Sequence, residues 1–185
     1  MPLLILDRDG VINQDSDNYI RCLDDWQPVP GSIEAIARFC RAGYTVAIAT
    51  NQSGLSRGYF TLDDLETIHG ELCRQVEEAG GSISGIFYCP HLPTEGCACR
   101  KPATGLLEAM EAELEVAVAD SFFIGDSLKD LQAAQAMHCR PVLVLTGKGR
   151  ATQAQLQTGT ANLTAPESIP VYADLAAAAD AMLSA

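Results

Sequence analysis

The chain has 185 residues, of which 48% are apolar and 19% charged. That balance supports one cored domain and excludes a disordered or coiled-coil chain. Twelve basic against 24 acidic residues leave a net charge of −12, which repels phosphate backbones and anionic bilayers and so excludes a general nucleic-acid or membrane binder.

No apolar run approaches the roughly 20 residues that span a bilayer. The first, Leu3–Leu6, is too short for a secretory signal and stops at Asp7. A soluble cytoplasmic protein is expected. Seven cysteines, an odd count, speak against a disulfide scaffold.

Leu3–Leu6 is the first predicted strand, ending in Asp7-Arg8-Asp9-Gly10. After Pro30-Gly31, Ser32 is expected to cap a helix with Ile33, Ile36, Ala37 and Cys40 on one face, and Gly43 to close it. Tyr44 to Ala49 reads as a second strand, leading into Thr50-Asn51-Gln52-Ser53. Thr61 and Asp64 form a capping-box pattern ahead of Leu62, Leu65, Ile68, Leu72 and Val76 at helical spacing. A third strand covers 86–88, and Thr104 is placed to cap a helix carrying Leu107, Met110 and Leu114. Strands at 121–124 and 142–145 flank a helix opened by Gly125-Asp126-Ser127, and a last helix runs from Asp174 to Leu183. Residues 146–170 carry no clear pattern.

Strands alternating with helices predict an α/β fold, a doubly wound parallel sheet, in which ligands bind beyond the carboxyl ends of the strands. Asp7, Asp9, Thr50 and Asp126 all fall at such ends. Taken singly, each carboxylate suits a turn or helix cap. Together they repel one another unless protonated or bound to a hard cation such as Mg²⁺. Arg8, Arg57, Arg100, Lys101 and Lys129 offer cations for a phosphate near this acid cluster. Carboxylates, lysine and hydroxyl together point to phosphoryl transfer.

Cys89-Pro-His91 and Cys97-Ala-Cys99 form C-x-H-x₅-C-x-C. In extended backbone each i, i+2 pair points one way, and three thiolates with one imidazole fill a tetrahedral Zn²⁺ shell with no open position. Unliganded cysteines in a loop are the alternative. His69 and His138 read as structural, Cys22, Cys40, Cys73 and Cys139 as small apolar residues, and Lys148 and Arg150 as surface charges. Tyr19 and Trp26 are candidates for the entrance to a site.

In this order and spacing, Asp7-Arg-Asp-Gly-Val11, Thr50, Lys101 and the run Gly125 to Asp130 resemble the four motifs of the haloacid dehalogenase-like phosphatase superfamily. Val11 stands where the first motif usually ends in Thr. The resemblance implies a Rossmann-like fold, here without a large cap domain because residues 51–100 are already filled by predicted elements. It also implies a two-step hydrolysis with Asp7 as nucleophile, Asp9 as acid and base with a raised pKa, and Thr50 and Lys101 on the phosphoryl group. Asp7, Asp126 and the Asp9 carbonyl would hold Mg²⁺, and Asp130 would orient the site. The C-x-H…C-x-C-R-K-P pattern is similar to a narrower branch, the D-glycero-D-manno-heptose 1,7-bisphosphate 7-phosphatases and the histidinol-phosphate phosphatases. By that likeness Asp15, Ser16, Asp17, Asn18, Asn51, Gln52, Ser53 and Arg100 contact substrate. The expected role is supply of activated heptose for lipopolysaccharide, by a monomer acting on a small sugar phosphate, with 1–185 as one domain and the zinc loop at 89–99. Histidinol phosphate is the alternative substrate. A receiver-type phosphoaspartate signalling domain is the reading from a different class, and a zinc-stabilised nucleic-acid module a third, disfavoured by the charge.

Overall fold

The computed structural model describes residues 2–184. Strands β1 (Leu3–Leu6), β2 (Thr45–Asn51), β3 (Gly85–Cys89), β4 (Phe122–Gly125), β5 (Arg140–Val144) and β6 (Val171–Tyr172) form one sheet in the order β3-β2-β1-β4-β5-β6. Every pairing is parallel. Helices α1 (Ser32–Arg41), α2 (Leu62–Glu78), α3 (Gly105–Leu114), α4 (Leu128–Ala136), α5 (Gly149–Gln157) and α6 (Leu175–Leu183) cover it.

Both faces of the sheet are buried. Leu4 and Leu6 of β1 pack with Ile36 and Phe39 of α1, Ile68 and Leu72 of α2, and Leu175 of α6. Leu3 and Ile5, pointing the opposite way by the period-2 alternation of a strand, pack with Leu107 and Met110 of α3 and Ala134 of α4. A smaller cluster of Leu131, Leu143 and Ile169 holds Leu156 of α5 near the β6 edge. This is why β1 reads as an unbroken apolar run.

The chain winds outward through β2 and β3, then returns to the other side of β1 for β4. The crevice between the carboxyl ends of β1 and β4 is the switch point where open α/β sheets bind ligands. Asp7 and Asp126 follow those two strands directly. Within residues 51–100 the chain builds α2, β3 and the Cys/His loop, with no inserted domain among the described residues. No helix among them is long and apolar enough to cross a membrane.

Several local expectations are corrected. Ser32 is the first residue of α1, and Gly31 occupies the cap with φ 80°; the buried Ser32 Oγ instead donates to the Ile12 carbonyl at 2.6 Å. β2 extends to Asn51 because Thr50 and Asn51 pair with Tyr88 and Cys89 of β3, so Thr50 lies within the strand. Thr104 precedes α3, but its hydroxyl donates to Glu108 at 2.5 Å and caps no backbone N–H. Residues 146–170 contain α5 and a short 3₁₀ turn at Pro166–Ser168. The Thr61–Asp64 capping box on α2 forms as expected, and Asp174, expected within the last helix, instead caps it by accepting the Ala177 N–H.

A doubly covered central strand makes a specific prediction. Leu4→Ala and Ile5→Ala, on opposite faces of β1, should each lower the unfolding free energy by about 3 kcal/mol, read from urea denaturation. Tolerance at either position would mean that its face is not a packed layer.

Candidate active site

A cavity of about 670 Å³ opens over the carboxyl ends of β1, β2 and β4. Asp7, Asp9, Thr50, Lys101 and Asp126 line its floor, with Asp15, Ser16, Asp17, Tyr19, Arg100, Lys129 and Lys148 on its walls.

The floor is organised around one ammonium group. Lys101 is 2% exposed, and its Nζ lies 3.0 Å from Asp7 Oδ1 and 2.6 Å from Asp130 Oδ1 while donating to the Ala49 carbonyl at 2.6 Å. Burial works against its charge, but Asp130 and Asp7 more than offset that and raise its pKa. Lys101 reaches the floor from the Cys/His loop because Asn51 grips its main chain. Asn51 Nδ2 donates to the Lys101 carbonyl at 3.1 Å, and the Lys101 N–H donates to Asn51 Oδ1 at 3.0 Å. Asn51 therefore spends its amide on the lysine's backbone.

Asp126 is enclosed by backbone. Its Oδ2 accepts the Lys148 N–H at 2.7 Å, and its carbonyl accepts the Thr152 hydroxyl at 2.8 Å. A Cβ on either Gly10 (φ +85°) or Gly147 (φ +55°) would stand 2.1 Å from that same Oδ2, so neither position admits a side chain. Asp130 sits in the first turn of α4, where its Oδ2 accepts both the N–H and the hydroxyl of Ser127, at 3.0 and 2.7 Å.

Carboxylate oxygens of Asp7, Asp126 and Asp130 all lie within 4.8 Å of one another. Burial, then the charge of Asp130, pushes Asp7 up to about 7. Burial, then the charges of Asp7 and Asp130, pushes Asp126 up to about 8. One lysine does not neutralise three buried acids, and an all-oxygen donor set suits a hard divalent cation such as Mg²⁺.

Asp9 faces elsewhere. Its Oδ1 accepts from Arg8 Nε and Asn13 Nδ2, both at 2.9 Å. Its Oδ2 accepts from Arg8 Nη2 at 3.1 Å and Gln52 Nε2 at 2.9 Å. Desolvation raises its pKa, but the Arg8 charge and the donors of Asn13, Gln52 and Arg8 together outweigh it and lower the net value. The expected raised pKa is thus corrected for the resting site. The Asp9 carboxylate is not part of the Asp7–Asp126–Asp130 group.

The Cys/His ligands converge. Sγ of Cys99 lies 2.9 Å from Sγ of Cys89 and 3.6 Å from that of Cys97, and His91 Nδ1 lies 3.2 Å from Cys99. All four ligand atoms fall within 4.8 Å of one another. Zn–S bonds of about 2.3 Å set tetrahedral edges of about 3.8 Å, so this cluster is of the right size. Arg100, next along the chain, donates to the His91 carbonyl at 3.3 Å.

Comparison with known proteins accounts for this arrangement. Residues 98–178 match the family model described as HAD-hydrolase-like. The D-glycero-β-D-manno-heptose-1,7-bisphosphate 7-phosphatase of Pseudomonas aeruginosa is 52% identical over 98% of this chain and 97% of its own length. The protein of the same name from Bordetella bronchiseptica is 48% identical over 99% and 98%. The chain belongs to this family. A crystal structure of the B. bronchiseptica D,D-heptose 1,7-bisphosphate phosphatase, complexed with magnesium and phosphate, superposes with a TM-score of 0.91 at 47% identity, covering 100% of this chain and 99% of that one. The Burkholderia thailandensis enzyme of that name gives 0.74 at 38%, covering both chains in full.

Within this family frame, some sequence-derived positions line the cavity and others do not. Asp15, Ser16, Asp17, Asn51, Gln52, Ser53 and Arg100 line it, whereas Asn18 and Arg57 do not. Gln52 and Ser53 are buried, and Gln52 Nε2 is occupied by Asp9 and Thr50. Tyr19 lines the mouth at φ 66°, edge-on to Tyr59 at 5.1 Å, while Trp26 belongs to the core. His69 is a structural neighbour of Arg8, 3.1 Å from its Nη1; burial, then the Arg8 charge, lowers its pKa to about 3 and keeps it neutral. Sequence reasoning passed over Thr152 and read Lys148 as a surface charge, whereas both line the cavity. Lys148 serves Asp126 through its backbone N–H, which has no side-chain signature, and its Nζ pairs with Asp15 at 3.5 Å.

The raised acids make stability depend on pH. Without magnesium, folded Asp7 and Asp126 retain protons that an unfolded aspartate, with its pKa of about 3.9, has lost. Their stabilising contribution is full below about pH 4 and is lost as pH rises through their folded values of about 7 and about 8. The urea midpoint of magnesium-free protein should therefore fall between about pH 5 and about pH 8, and added Mg²⁺ should restore more stability at the upper pH. A flat midpoint, or equal stabilisation by Mg²⁺ at both, would contradict the buried acid cluster.

Proposed function

We propose that the chain removes the 7-phosphate of D-glycero-β-D-manno-heptose 1,7-bisphosphate through a phosphorylated Asp7, in the supply of activated heptose for lipopolysaccharide. The observation that carries this reading is the near-full-length identity to phosphatases of that name, held by a chain whose Asp7, Thr50 and Lys101 meet in one cavity.

Asp7, Asp126 and the main-chain oxygen of Asp9 would hold Mg²⁺, which neutralises charge on the phosphate and on the acids around it. An Asp7 oxygen attacks phosphorus, and the bond from phosphorus to the sugar oxygen breaks. Asp9 gives its proton to that leaving oxygen. A water oxygen then attacks the acyl phosphate while Asp9 takes the water's proton, and Asp7 leaves as a carboxylate. The donors around Asp9 hold it in the ionised form that the second step requires. In the first step the phosphate anion beside it favours its protonated form. Lys101 and the Thr50 hydroxyl stabilise the transferring group. Asp130, fixed by Ser127, aims the lysine.

Arg100, Lys129 and Lys148 all line the cavity. Burial, then the charges of Arg100 and Lys148, lowers the Lys129 pKa. Crowded cations of this kind suit a second phosphate and repel the amine of histidinol phosphate, which favours the bisphosphate.

We further assign Zn²⁺ to Cys89, His91, Cys97 and Cys99, in a structural role that holds Arg100 and Lys101 at the cavity.

The substrate reading is tested by Mg²⁺-dependent phosphate release from the heptose bisphosphate and histidinol phosphate side by side. The expected result is a kcat/KM at least about a hundredfold higher for the bisphosphate, equivalent to about 2.7 kcal/mol, one phosphate released per molecule, and no turnover by Asp7→Asn. A preference for histidinol phosphate would overturn the substrate, and an active Asp7→Asn the nucleophile. Elemental analysis should find about one zinc per chain. Its stoichiometric removal should weaken phosphate binding, and zinc-free protein of full activity would reject the assignment.

A further inference from the structure

Gln52 follows Thr50 by two residues, so their side chains leave the end of β2 on the same side. The Gln52 N–H is itself tied to the Cys89 carbonyl at 2.7 Å, and the residue is only 3% exposed. One amide nitrogen, Nε2, donates to Asp9 Oδ2 at 2.9 Å and to Thr50 Oγ1 at 3.0 Å. The orientation of the amide is dictated by chemistry. Reversed, its carbonyl oxygen would face a carboxylate that can only accept. With Nε2 inward, each of its two hydrogens has one acceptor.

This arrangement fixes the direction of the hydroxyl. Thr50 Oγ1 accepts from Gln52, so its own proton is free for whatever enters the cavity. The same amide completes the ring of donors on Asp9, opposite Arg8, whose Nη1 must donate to His69 Nε2 because a guanidinium cannot accept. A single carboxamide therefore spans the group that would hold the phosphoryl oxygen and the group that would serve the leaving oxygen.

We propose that Gln52 is a positioning residue, a carboxamide brace that directs the Thr50 hydroxyl toward the phosphoryl group and holds Asp9 at a set distance from it. The inference rests on the phosphatase reading above. It differs from a sugar contact, which is the role that family resemblance gives Gln52.

The test compares wild type with Gln52→Met, close in shape but without donors, and Gln52→Glu, which replaces the donors with a charge. A brace changes kcat and leaves KM nearly alone. The expected result for Gln52→Met is a fall in kcat of at least about tenfold, with KM for the sugar bisphosphate within about threefold. Gln52→Glu should fall further. Because p-nitrophenolate leaves without a proton from Asp9, the single-turnover rate of phosphoryl transfer should fall at least about three times less with p-nitrophenyl phosphate than with the sugar ester.

A raised KM at unchanged kcat would make Gln52 a substrate contact and overturn the proposal. Equal losses with both leaving groups would reduce it to a structural residue and do the same. If Gln52→Met does not fold, the leaving-group comparison on Gln52→Glu decides. An active wild type with an unaffected Gln52→Met would overturn the brace alone, whereas a wild type inactive on every phosphate ester would overturn the phosphatase reading beneath it.

Discussion

The buried ammonium of Lys101 is the charge on which this site depends. Asp7, Asp126 and Asp130 are taken out of water within a few ångströms of one another, an arrangement that costs heavily without an opposing charge. Lys101 touches two of them directly. It comes from a loop held by the amide of Asn51 at the end of β2, and the Cys/His cluster, able to hold a metal ion, ends one residue before Arg100. The ends of β1 and β4 and the start of α4 thus supply the acids, and an irregular segment supplies the cation that lets them remain there.

A second division of labour separates two aspartates of one motif. Asp7 and Asp9 stand two positions apart after β1, yet the first faces carboxylates and a lysine while the second faces Arg8, Asn13 and Gln52. Their acidities move in opposite directions as a result. Two carboxyl groups whose surroundings push their pKa values apart are suited to different tasks in one reaction. Arg8 makes this possible although it is fully buried and never enters the cavity lining.

Much of this was legible in the sequence because it followed from periodicity and spacing. The apolar run Leu3–Leu6 can only be a strand covered on both faces, and acids at the ends of alternating strands must gather at one edge of a parallel sheet. The Cys/His spacing likewise specified a convergent cluster. α5 was missed because only Gly149 and Thr152 are buried along it, so it carries no apolar stripe. β6 was missed because it is two residues long. The acidity of Asp9 was misjudged because Arg8, its neighbour in the chain, turns its guanidinium onto the carboxylate, joined by Asn13 from a turn and Gln52 from just beyond the end of β2. The contribution of Lys148 to Asp126 is a main-chain donor that any residue except proline could supply.

Gly10 and Gly147 close on the carboxylate of Asp126 from two sides. The wall of the cavity nearest the reacting phosphate is therefore made of bare main chain, with no room for a larger residue. Elsewhere around the cavity Asp15, Asp17, Tyr19, Arg100 and Lys129 present side chains on loops and on the first turn of α4. Substitution can reshape those side chains, while the glycine wall admits none. A lineage carrying this scaffold could exchange one phosphate ester for another without disturbing the bond-breaking apparatus, and its evolutionary freedom is confined to one rim.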